Sequence, residues 1–360
     1  MPRTNVEQQL RSLTARRIAI IKPSALGDVV QALPLLPALR QRFPNASLTW
    51  VIQRELADLV AGHPHLDQML TFDRRPNWWS VPSFLAALRR QRFDLVLDLQ
   101  GLLRSAVMVV ATGAKWRVGL ETAREGAGLV ANLTIPDSGW NVPAHARNWR
   151  VAEALGVGDV PRQTIVHVSP HDQAIVDGWL RGMPRPVFAV QWGARWETKR
   201  WPLDKMTDVM LQAAREWGGS TAFIGGPGER AACDAACARM KNAVACNLAG
   251  RTTLKQLAAL LMRVDAVLAN DSGPMHLAAE LGTPVVGVFT CTSPVRSGPP
   301  GVQHQFVASE LPCAASYHKQ CPLVGVRRLA CHSELASARV WQALQKLVER
   351  NNLLAKTRAA

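Results

Sequence analysis

Residues 265–289, DAVLANDSGPMHLAAELGTPVVGVF, decide the fold class of this sequence. The apolar run Asp265–Ala269 predicts a buried strand, a polar turn and a short helix follow it, and Pro284–Phe289 predicts a second buried strand. Two apolar strands joined by a helix are typical of a parallel βαβ unit. The same alternation extends outward over both halves of the chain, so we expect an α/β protein built on parallel sheets.

The alternation is interrupted once, at GVGDVPRQTIVHVSP (156–170), where glycine, proline and polar residues replace the apolar pattern. We therefore expect two Rossmann-like domains, 1–160 and 161–360, that face a central cleft. The last helical pattern, Ser337–Asn351, is a candidate for packing back on the first domain. The other expected strands are Arg17–Lys22, Leu48–Ile52, Gln68–Phe72, Asp94–Leu99, Trp116–Leu120, Pro186–Gln191 and Ser220–Gly225, and the other long helical patterns are Val29–Phe43 and Ser83–Arg92.

Composition restricts the class of protein. The 360 residues are 48% hydrophobic and 19% charged, which excludes a disordered chain. The net charge of +15 indicates an anionic partner, which could be nucleic acid, an acidic membrane surface or a phosphorylated substrate. The seven cysteines are scattered over the second half, as expected of reduced thiols in the cytosol. We find no signal-peptide pattern and no apolar run that could span a bilayer, so we expect a cytoplasmic protein.

The turn KPSALGDVV (22–30) follows the first expected strand and carries Asp28. Ligands of open parallel sheets bind at the carboxyl ends of the strands, so this turn is a candidate site. An aspartate at a helix start commonly caps the helix or compensates its dipole. A carboxylate at the mouth of a cleft is also suited to act as a general base. The sequence leaves both roles open for Asp28.

Two turns of the second half indicate a phosphorylated ligand. In QWGARWETKRWPLDKM (191–206) the cations Arg195, Lys199 and Arg200 follow a strand, which suits a diphosphate leaving group but also a solvated basic loop. FIGGPGERAACDAA (223–236) resembles a glycine-rich phosphate or ribose turn, with Glu229 in the first helical turn. It matches neither the dinucleotide nor the P-loop motif.

The turn Asn270–Pro274 is the most informative. Successive backbone N–H groups at a helix N-terminus, with Gly273 allowing close approach, form an anion site. His276 lies one turn into the helix and could contact the same ligand, although a single histidine in a short helix is often structural.

The stretch RRPNWWSVPSFLAALRRQRF (74–93) combines five arginines with two tryptophans and contains no acidic residue. This combination predicts a patch that rests on an anionic membrane interface. The alternative is an ordinary amphipathic helix packed on the sheet. Nucleic acid is a rival partner, but no helix-turn-helix, zinc-finger or RNP-like signature supports it. The spacing of Cys313, Cys321 and Cys331 matches no common zinc pattern.

Six motifs occur in an order that resembles a known family. They are KPSALGDVV (22–30), DLQGLLRS (98–105), TARE (122–125), TKRWP (198–202), GGPGER (225–230) and NDSGPMHLAAELGTPVVGVF (270–289). In this order they resemble the lipopolysaccharide heptosyltransferases, glycosyltransferase family nine. Within that family the TARE segment is similar to heptosyltransferase I, which acts on a Kdo sugar of lipid A.

The resemblance implies a GT-B fold and an inverting, metal-independent transfer of L-glycero-D-manno-heptose from ADP-heptose to Kdo of lipid A. It implies that Asp28 is the general base and that two further groups of residues bind the substrates. The donor residues would be Lys199, Glu229, Thr252, Asp271, Ser272, Gly273 and His276, and the acceptor residues Arg124, Ser24 and Gly27. The sequence departs from the family at Trp192-Gly193-Ala194, where hydroxyl residues commonly meet the phosphates.

The resemblance further implies that the enzyme needs no cofactor and works at the cytoplasmic face of the inner membrane as a peripheral protein. No DxD-like metal pair occurs in a suitable turn, so Lys199 and the helix start at Ser272–Pro274 would stabilise the leaving group. Three alternatives stay open. They are a glycosyltransferase with another nucleotide sugar or acceptor, such as a heptosyltransferase II-like enzyme, a non-hydrolysing sugar-nucleotide epimerase, and a binding module without turnover.

Overall fold

The computed structural model describes residues 3–75 and 77–358, and Pro76 of the arginine- and tryptophan-rich stretch lies outside them. The chain divides into two compact units, Met1–His167 and Val168–Ala360. The division falls within the linker expected at 156–170. Within the residues that the structure describes, no helix combines the length and the apolar character needed to cross a membrane.

The first unit is a six-stranded parallel sheet flanked by helices. Its strands pair in the order β3-β2-β1-β4-β5-β6. The strands are β1 (Arg17–Ile21), β2 (Ser47–Gln53), β3 (Gln68–Phe72), β4 (Leu95–Asp98), β5 (Trp116–Leu120) and β6 (Leu133–Ile135). The helices are α1 (Arg3–Arg11), α2 (Leu26–Val30), α3 (Leu35–Arg42), α4 (Ser80–Arg90), α5 (Leu103–Thr112) and α6 (Ala144–Ala154), with 3₁₀ turns at Arg54–Leu59 and Ala127–Val130.

The second unit repeats this architecture, with strand order β12-β11-β10-β7-β8-β9. Its strands are β7 (Val187–Gln191), β8 (Ser220–Ile224), β9 (Val244–Asn247), β10 (Ala266–Asn270), β11 (Val285–Phe289) and β12 (Gln305–Ala308). Its helices are α7 (Pro170–Leu180), α8 (Leu203–Trp217), α9 (Arg230–Arg239), α10 (Leu254–Arg263), α11 (Gly273–Glu280), α12 (Pro294–Ser297), α13 (Ala330–Glu334), α14 (Ser337–Arg350) and α15 (Leu353–Arg358). Short 3₁₀ turns lie at Glu197–Lys199, Pro227–Glu229 and Gly325–Arg327.

Both sheets are doubly wound in the same way. In each unit the first strand lies in the middle of the sheet, between the second and the fourth strands of that unit. The strand order reverses at this point, which is where open α/β sheets bind their ligands, outside the carboxyl ends of the strands. The topology therefore makes the turns after β1 and β4, and those after β7 and β10, the candidate ligand sites.

The central strands are apolar on both faces because helices cover both sides of each sheet. In β1, residues Ile18–Ile21 are fully buried, and every residue of β7 and β11 is buried. The helix expected at Ser337–Asn351 forms as α14, and its packing on the first domain stays a prediction. It packs on β11, β12 and α8, because its apolar side chains Trp341, Leu344 and Leu347 complete the core of the second unit.

The expected helix Val29–Phe43 is divided into α2 and α3. Pro34 is the N-terminal cap of α3, and proline has no N–H group to continue a helix that arrives from its N-terminal side. The division leaves Asp28 in the first turn of a five-residue helix rather than at the start of a long one. This short helix keeps the aspartate close to the end of β1.

His304 makes the stability of the second unit depend on pH. Its Nδ1 accepts a hydrogen bond from the N–H of Val285 (3.2 Å). Burial lowers the pKa of His304 to about 4, although the Pro300 carbonyl acts in the opposite direction. An unfolded histidine has a pKa of about 6.5, so the unfolded chain takes up the proton first as the pH falls. We expect His304 to remove roughly 1–3 kcal/mol from the free energy of unfolding between pH ~6.5 and ~4.

Urea unfolding of the wild type and of His304→Gln across this pH range tests the expectation. Glutamine keeps a hydrogen-bond acceptor but does not titrate, so its unfolding free energy should fall less steeply toward pH 4. The difference between the two proteins is the quantity to measure, because burial also lowers the pKa of His63 in the first unit to about 4. Parallel curves for wild type and variant would contradict the assignment.

Candidate active site

The turn after β1 begins with a buried lysine. The Lys22 side chain is 7% exposed, and its Nζ donates to the carbonyl of Leu99 (2.7 Å), just after β4. The indole Nε1 of Trp50 donates to the Lys22 carbonyl (3.1 Å). These two hydrogen bonds tie the end of β1 to its neighbours β4 and β2, so the backbone that leads to Asp28 starts from a fixed position.

Asp28 is exposed in the first turn of α2. One of its carboxylate oxygens, Oδ2, accepts a hydrogen bond from the N–H of Ala25 (3.0 Å). The capping role considered from the sequence is therefore confirmed. It leaves the second oxygen available, so capping and general-base chemistry are compatible. Ser24 and Gly27 of the same turn are half-buried, and the Gly27 carbonyl accepts from the N–H of Gln31 within the helix.

Lys22 lies in the electrostatic field of two carboxylates. Burial lowers the pKa of Lys22, the charges of Asp28 and Asp98 act in the opposite direction, and the charge of Arg147 lowers it further. Asp98 ends β4 and is buried, which raises its pKa, although its oxygens accept from the N–H groups of Gln100 and Gly101 and from the Ser105 hydroxyl. Ionisable groups thus surround the end of β1, at the reversal point of the strand order.

Arg124 lies on an exposed loop after β5 that is joined to the loop after β4. Its N–H donates to the carbonyl of Gly101 (2.8 Å), and the carboxylate of Glu125 accepts from the N–H of Leu103 (3.1 Å) at the start of α5. Gly101 has φ +63, and a Cβ there would lie 3.0 Å from the Cα of Ala123, so the close approach of the two loops requires glycine.

Sequence reasoning missed two partners of Arg124. The guanidinium groups of Arg124 and Arg147 each lie 4.9 Å from the ring centroid of Trp140, so both cations contact one indole. Arg147, on α6, is also the residue whose charge is felt by Lys22. Arg124 and Arg147 therefore form a cationic pair on the first unit, in the electrostatic environment that Lys22 shares with Asp28, and the pair is suited to an acidic ligand.

In the second unit, Lys199 and Asp271 form a nearly buried ion pair. The Lys199 Nζ lies 2.8 Å from Asp271 Oδ2, and their side chains are 18% and 5% exposed. Thr292 Oγ1 donates to the same oxygen (2.7 Å), and His276 Nε2 lies 3.6 Å from Oδ1. Burial by itself raises the pKa of Asp271, but His276 and Lys199 outweigh it, so the pKa lies well below its usual range. Asp271 therefore remains ionised and holds the lysine in place.

Asn270, at the end of β10, holds the loop that carries Lys199. Its Nδ2 donates to the Trp192 carbonyl (2.6 Å), and its Oδ1 accepts from the Trp201 N–H (3.2 Å), so one fully buried amide clasps both ends of the loop 192–201. From the sequence, Asn270 is expected only as part of an anion-binding turn. A polar residue that ends an otherwise apolar strand was the available signal.

Ser272 and Gly273 form the start of α11, as predicted. Ser272 is the N-terminal cap, and its Oγ is buried without a hydrogen-bond partner among the described residues. His276 is buried one turn further on and faces Asp271. The histidine therefore has a structural partner at this position. The free N–H groups at the helix start and the Ser272 hydroxyl remain suited to an anionic ligand beside Lys199.

Glu229 and Thr252 lie on the two loops next to the Lys199 loop. The Glu229 carboxylate accepts from the N–H of Gly226 (2.8 Å) and lies against Gly193, where a Cβ would come within 1.6 Å of Glu229 Oε1. A side chain at position 193 would have to displace the Glu229 carboxylate, so glycine at this residue of the departure at Trp192-Gly193-Ala194 allows the contact. The half-buried Thr252 follows Gly250, whose N–H donates to the Gly225 carbonyl (2.8 Å).

The three cations of the Lys199 loop have different surroundings. Arg195 is exposed, and Arg200 donates from Nε to the Ala194 carbonyl (2.7 Å), so it stabilises the loop itself. Lys199 lies 4.8 Å from the Trp196 ring centroid. Trp201, next to Arg200, is fully buried in the core.

In the part of the chain that the structure describes, no group of three or more histidine, cysteine or acidic residues is placed to hold a metal ion. The seven cysteines are free thiols. The pKa of Cys331 is raised by burial to about 11, which is a property of an unreactive thiol.

Solved structures share this fold over nearly the whole chain. A glycosyl transferase family 9 protein from Veillonella parvula aligns with 93% of this chain and 97% of its own, with a TM-score of 0.78 and 21% identity. E. coli heptosyltransferase WaaC with ADP aligns with 93% and 99% of the two chains, with a TM-score of 0.69 and 23% identity. The predicted GT-B fold with two Rossmann-like domains is confirmed.

Sequence comparisons lead to the same family. The chain is 27% identical over 293 residues to the lipopolysaccharide core heptosyltransferase OpsX of Haemophilus influenzae, covering 79% of this chain and 82% of that one. It is 27% identical over 332 residues to lipopolysaccharide heptosyltransferase 1 of Pseudomonas aeruginosa, covering 85% and 87%. The model of glycosyltransferase family 9 (heptosyltransferase) matches residues 81–326, more than half of the chain. The chain therefore belongs to glycosyltransferase family 9, a family of enzymes, as its six motifs predicted.

Proposed function

We propose that the protein is a lipopolysaccharide heptosyltransferase that transfers L-glycero-D-manno-heptose from ADP-heptose to Kdo of lipid A with inversion. The observation that carries the proposal is the Lys199–Asp271 pair beside the start of α11. It provides a positioned cation and free N–H groups, the two features that a leaving diphosphate needs. The family and the names of the similar proteins support heptose as the sugar.

On the donor side, the chain stabilises charge on the leaving ADP. When the bond between the anomeric carbon and the diphosphate oxygen breaks, the electron pair stays on that oxygen. Lys199 and the N–H groups at Ser272 and Gly273 would meet this charge, and Asp271 keeps the Lys199 ammonium in position. Glu229 and Thr252 lie on adjacent loops, where the nucleoside would contact them. No metal takes part in the proposed step.

On the acceptor side, Asp28 removes the proton from the Kdo hydroxyl as its oxygen attacks the anomeric carbon. A single displacement of this kind inverts the configuration at that carbon. The cationic pair of Arg124 and Arg147 would attract the carboxylate of the Kdo sugar. Ser24 and Gly27, on the same turn as Asp28, would contact the sugar. This cationic pair is the feature of the first unit that supports a carboxylated acceptor such as Kdo.

The test is release of ADP from ADP-heptose, with and without a deacylated Kdo–lipid A acceptor and with and without EDTA. We expect ADP release that requires the acceptor and continues in EDTA, because the leaving group is met by Lys199 and backbone N–H groups. No release by the folded enzyme would refute the substrate pair. Release that EDTA abolishes would refute the metal-independent step.

The same assay separates the alternatives. A non-hydrolysing epimerase would convert the donor without an acceptor, and a heptosyltransferase II-like enzyme would require an acceptor that already carries a heptose. A binding module would bind ADP without turnover. We further propose that the enzyme works in the cytoplasm, in peripheral contact with the inner membrane and without a nucleic-acid partner, since its acceptor would be a membrane lipid.

A further inference from the structure

The first unit has an apolar surface that lies outside its hydrophobic core. In α5 the side chains of Leu103, Val107 and Val110 are 59%, 46% and 60% exposed. Their spacing of four and three residues places them on one side of the helix. Single exposed apolar residues are common on protein surfaces and need no explanation. A continuous exposed apolar stripe is uncommon and marks an interaction surface.

A second exposed apolar group precedes α4, which packs against α5. Trp78 and Trp79 are 66% and 67% exposed and stack on each other. Three other apolar residues of this segment follow the amphipathic-helix alternative: Leu88 is buried, and Phe84 and Leu85 pack against the core. The tryptophans are not part of that packing. We call the exposed residues Trp78, Trp79, Val81, Leu103, Val107 and Val110 the α4/α5 face.

An apolar groove of about 510 Å³ lies within this face. Phe72 and Phe84 line it from β3 and α4, and Val107 and Met108 line it from α5. Arg104 also lines the groove, next to the exposed stripe of α5. A groove with aromatic and aliphatic walls and a cation beside it is suited to an alkyl chain with an anionic end group.

The charge around the face is mainly positive. Arg74, Arg75 and Arg104 are exposed, and among the described residues no ion pair joins them to an acidic side chain. Two carboxylates lie at the face: Asp73 lines the groove and pairs with Arg54 (2.7 Å), and Glu125 accepts from the N–H of Leu103 (3.1 Å). Neither the stretch 74–93 nor α5 contains an aspartate or a glutamate. Exposed tryptophans, an aliphatic stripe and uncompensated arginines together match the requirements of an anionic lipid surface, where indole rings lie at headgroup depth.

We infer that the α4/α5 face is the surface by which this enzyme docks on an anionic phospholipid bilayer, with one lipid acyl chain entering the groove. Charge complementarity favours this occupant over a second copy of the chain, because two copies would bring the same arginines together. The inference rests on the proposed function in one respect: a lipid-borne acceptor gives the enzyme a reason to be at the membrane.

Vesicle flotation of the full chain tests the inference without donor or acceptor. We expect binding to phosphatidylcholine vesicles that contain phosphatidylglycerol and weak binding to phosphatidylcholine alone. Trp78→Ser with Trp79→Ser should lower the partition coefficient about tenfold or more, because binding scales with the apolar area that enters the interface. Arg74→Gln with Arg75→Gln should lower it about thirtyfold, the equivalent of roughly 1 kcal/mol for each arginine.

Two further variants complete the design. Val107→Asp places a charge in the stripe of α5 and should abolish binding, whereas Val326→Asp, at a fully exposed valine of the second unit, should not change it. Melting temperature and turnover on the deacylated acceptor should stay at wild-type values in every variant. Binding of all variants equal to the wild type, or absence of wild-type binding, would overturn the inference.

Self-association provides the remaining outcome. If sedimentation shows that the wild type dimerises and that the same variants abolish the dimer but not vesicle binding, the face is an interface between copies and the inference is wrong. Because vesicle binding is measured without substrates, failure of the heptosyltransferase assay and failure of membrane docking give separate results.

Discussion

Replacing Asp28 by alanine is expected to lower the rate of acceptor-dependent ADP release about a hundredfold or more. A positioned general base contributes about 10²–10⁴ to the rate of a proton transfer. Asp28 is suited to this role because its carboxylate is exposed on the turn after β1, with one oxygen engaged by the N–H of Ala25 and the other available. The measurement is kcat/KM for the deacylated acceptor at saturating donor.

The alanine variant also removes a helix cap, which costs about 0.5–2 kcal/mol of stability. Asp28→Asn separates the two effects, because the amide oxygen still accepts from Ala25 but does not take a proton. Its turnover should fall as far as that of alanine while its unfolding free energy stays near the wild-type value. A matched control is Asp172→Asn, because Asp172 is a partly exposed aspartate in the first turn of α7 that is hydrogen-bonded to Ser169. Near-normal turnover of Asp28→Asn would show that Asp28 acts only as a cap.

The central strands could be predicted from the sequence because burial on both faces makes them continuous apolar runs. Trp116–Leu120, inside the first sheet, has the expected bounds, and so does the edge strand Gln68–Phe72, although it is less buried. The strands that were missed, β6, β9 and β12, lie at sheet edges and are only three or four residues long. Residues of β9 remain partly exposed, so the hydrophobic pattern that identifies a strand is weak there.

The candidate site was predictable to the extent that it lies directly after predicted strands. Lys199 and Asp271 follow β7 and β10, which are neighbours in the sheet, so sequence reasoning could place both at one edge. That the two residues pair with each other depends on how the loop 192–201 folds, which no local pattern encodes. Trp140 and Arg147 were missed because their arrangement with Arg124 also depends on tertiary folding: Trp140 contacts Arg124 of an earlier loop and Arg147 of the following helix.

The site residues of both units share a design. In each unit a buried polar residue ends the fourth strand and hydrogen-bonds to the backbone of a loop of the candidate site. Asp98 accepts hydrogen bonds from the loop after β4, and Asn270 clasps the loop that carries Lys199. Polar groups at these positions are stable because the loop backbone satisfies them. The candidate site loops are thus held by the ends of rigid strands.

Lys199→Ala is expected to have the second large effect, on both rate and stability. Loss of one positioned group that stabilises charge on a leaving oxygen lowers kcat about 10²–10³-fold. The variant also leaves the buried Asp271 carboxylate with only Thr292 and His276 as partners. Removing one member of a buried ion pair costs up to about 3–5 kcal/mol, and the 18% exposure of the Lys199 side chain places the expected loss toward the lower end.

The pH dependence of the stability loss in Lys199→Ala identifies the cause of that loss. In the wild type the lowered pKa of Asp271 contributes stability above the ordinary carboxyl pKa of about 3.9, and this contribution is lost as the pH falls further. In Lys199→Ala, protonation of Asp271 relieves the unpaired charge. The difference in unfolding free energy between the two proteins should therefore narrow as the pH falls from neutrality toward 4, and urea unfolding across this range measures it. A constant difference would show that the lysine stabilises the loop by packing alone.

Two further variants separate rate from stability. Asp271→Asn combined with Lys199→Ala removes both charges, so it should recover part of the unfolding free energy but none of the rate. Lys205→Ala is the matched control, because Lys205 donates to the carbonyls of His332 and Leu335 and lies away from Asp271 in the hydrogen-bond network. It should lower stability with little change in kcat. Recovery of turnover in the double variant would mean that Lys199 serves only to neutralise Asp271, and that the helix start at Ser272 and Gly273 meets the leaving group by itself.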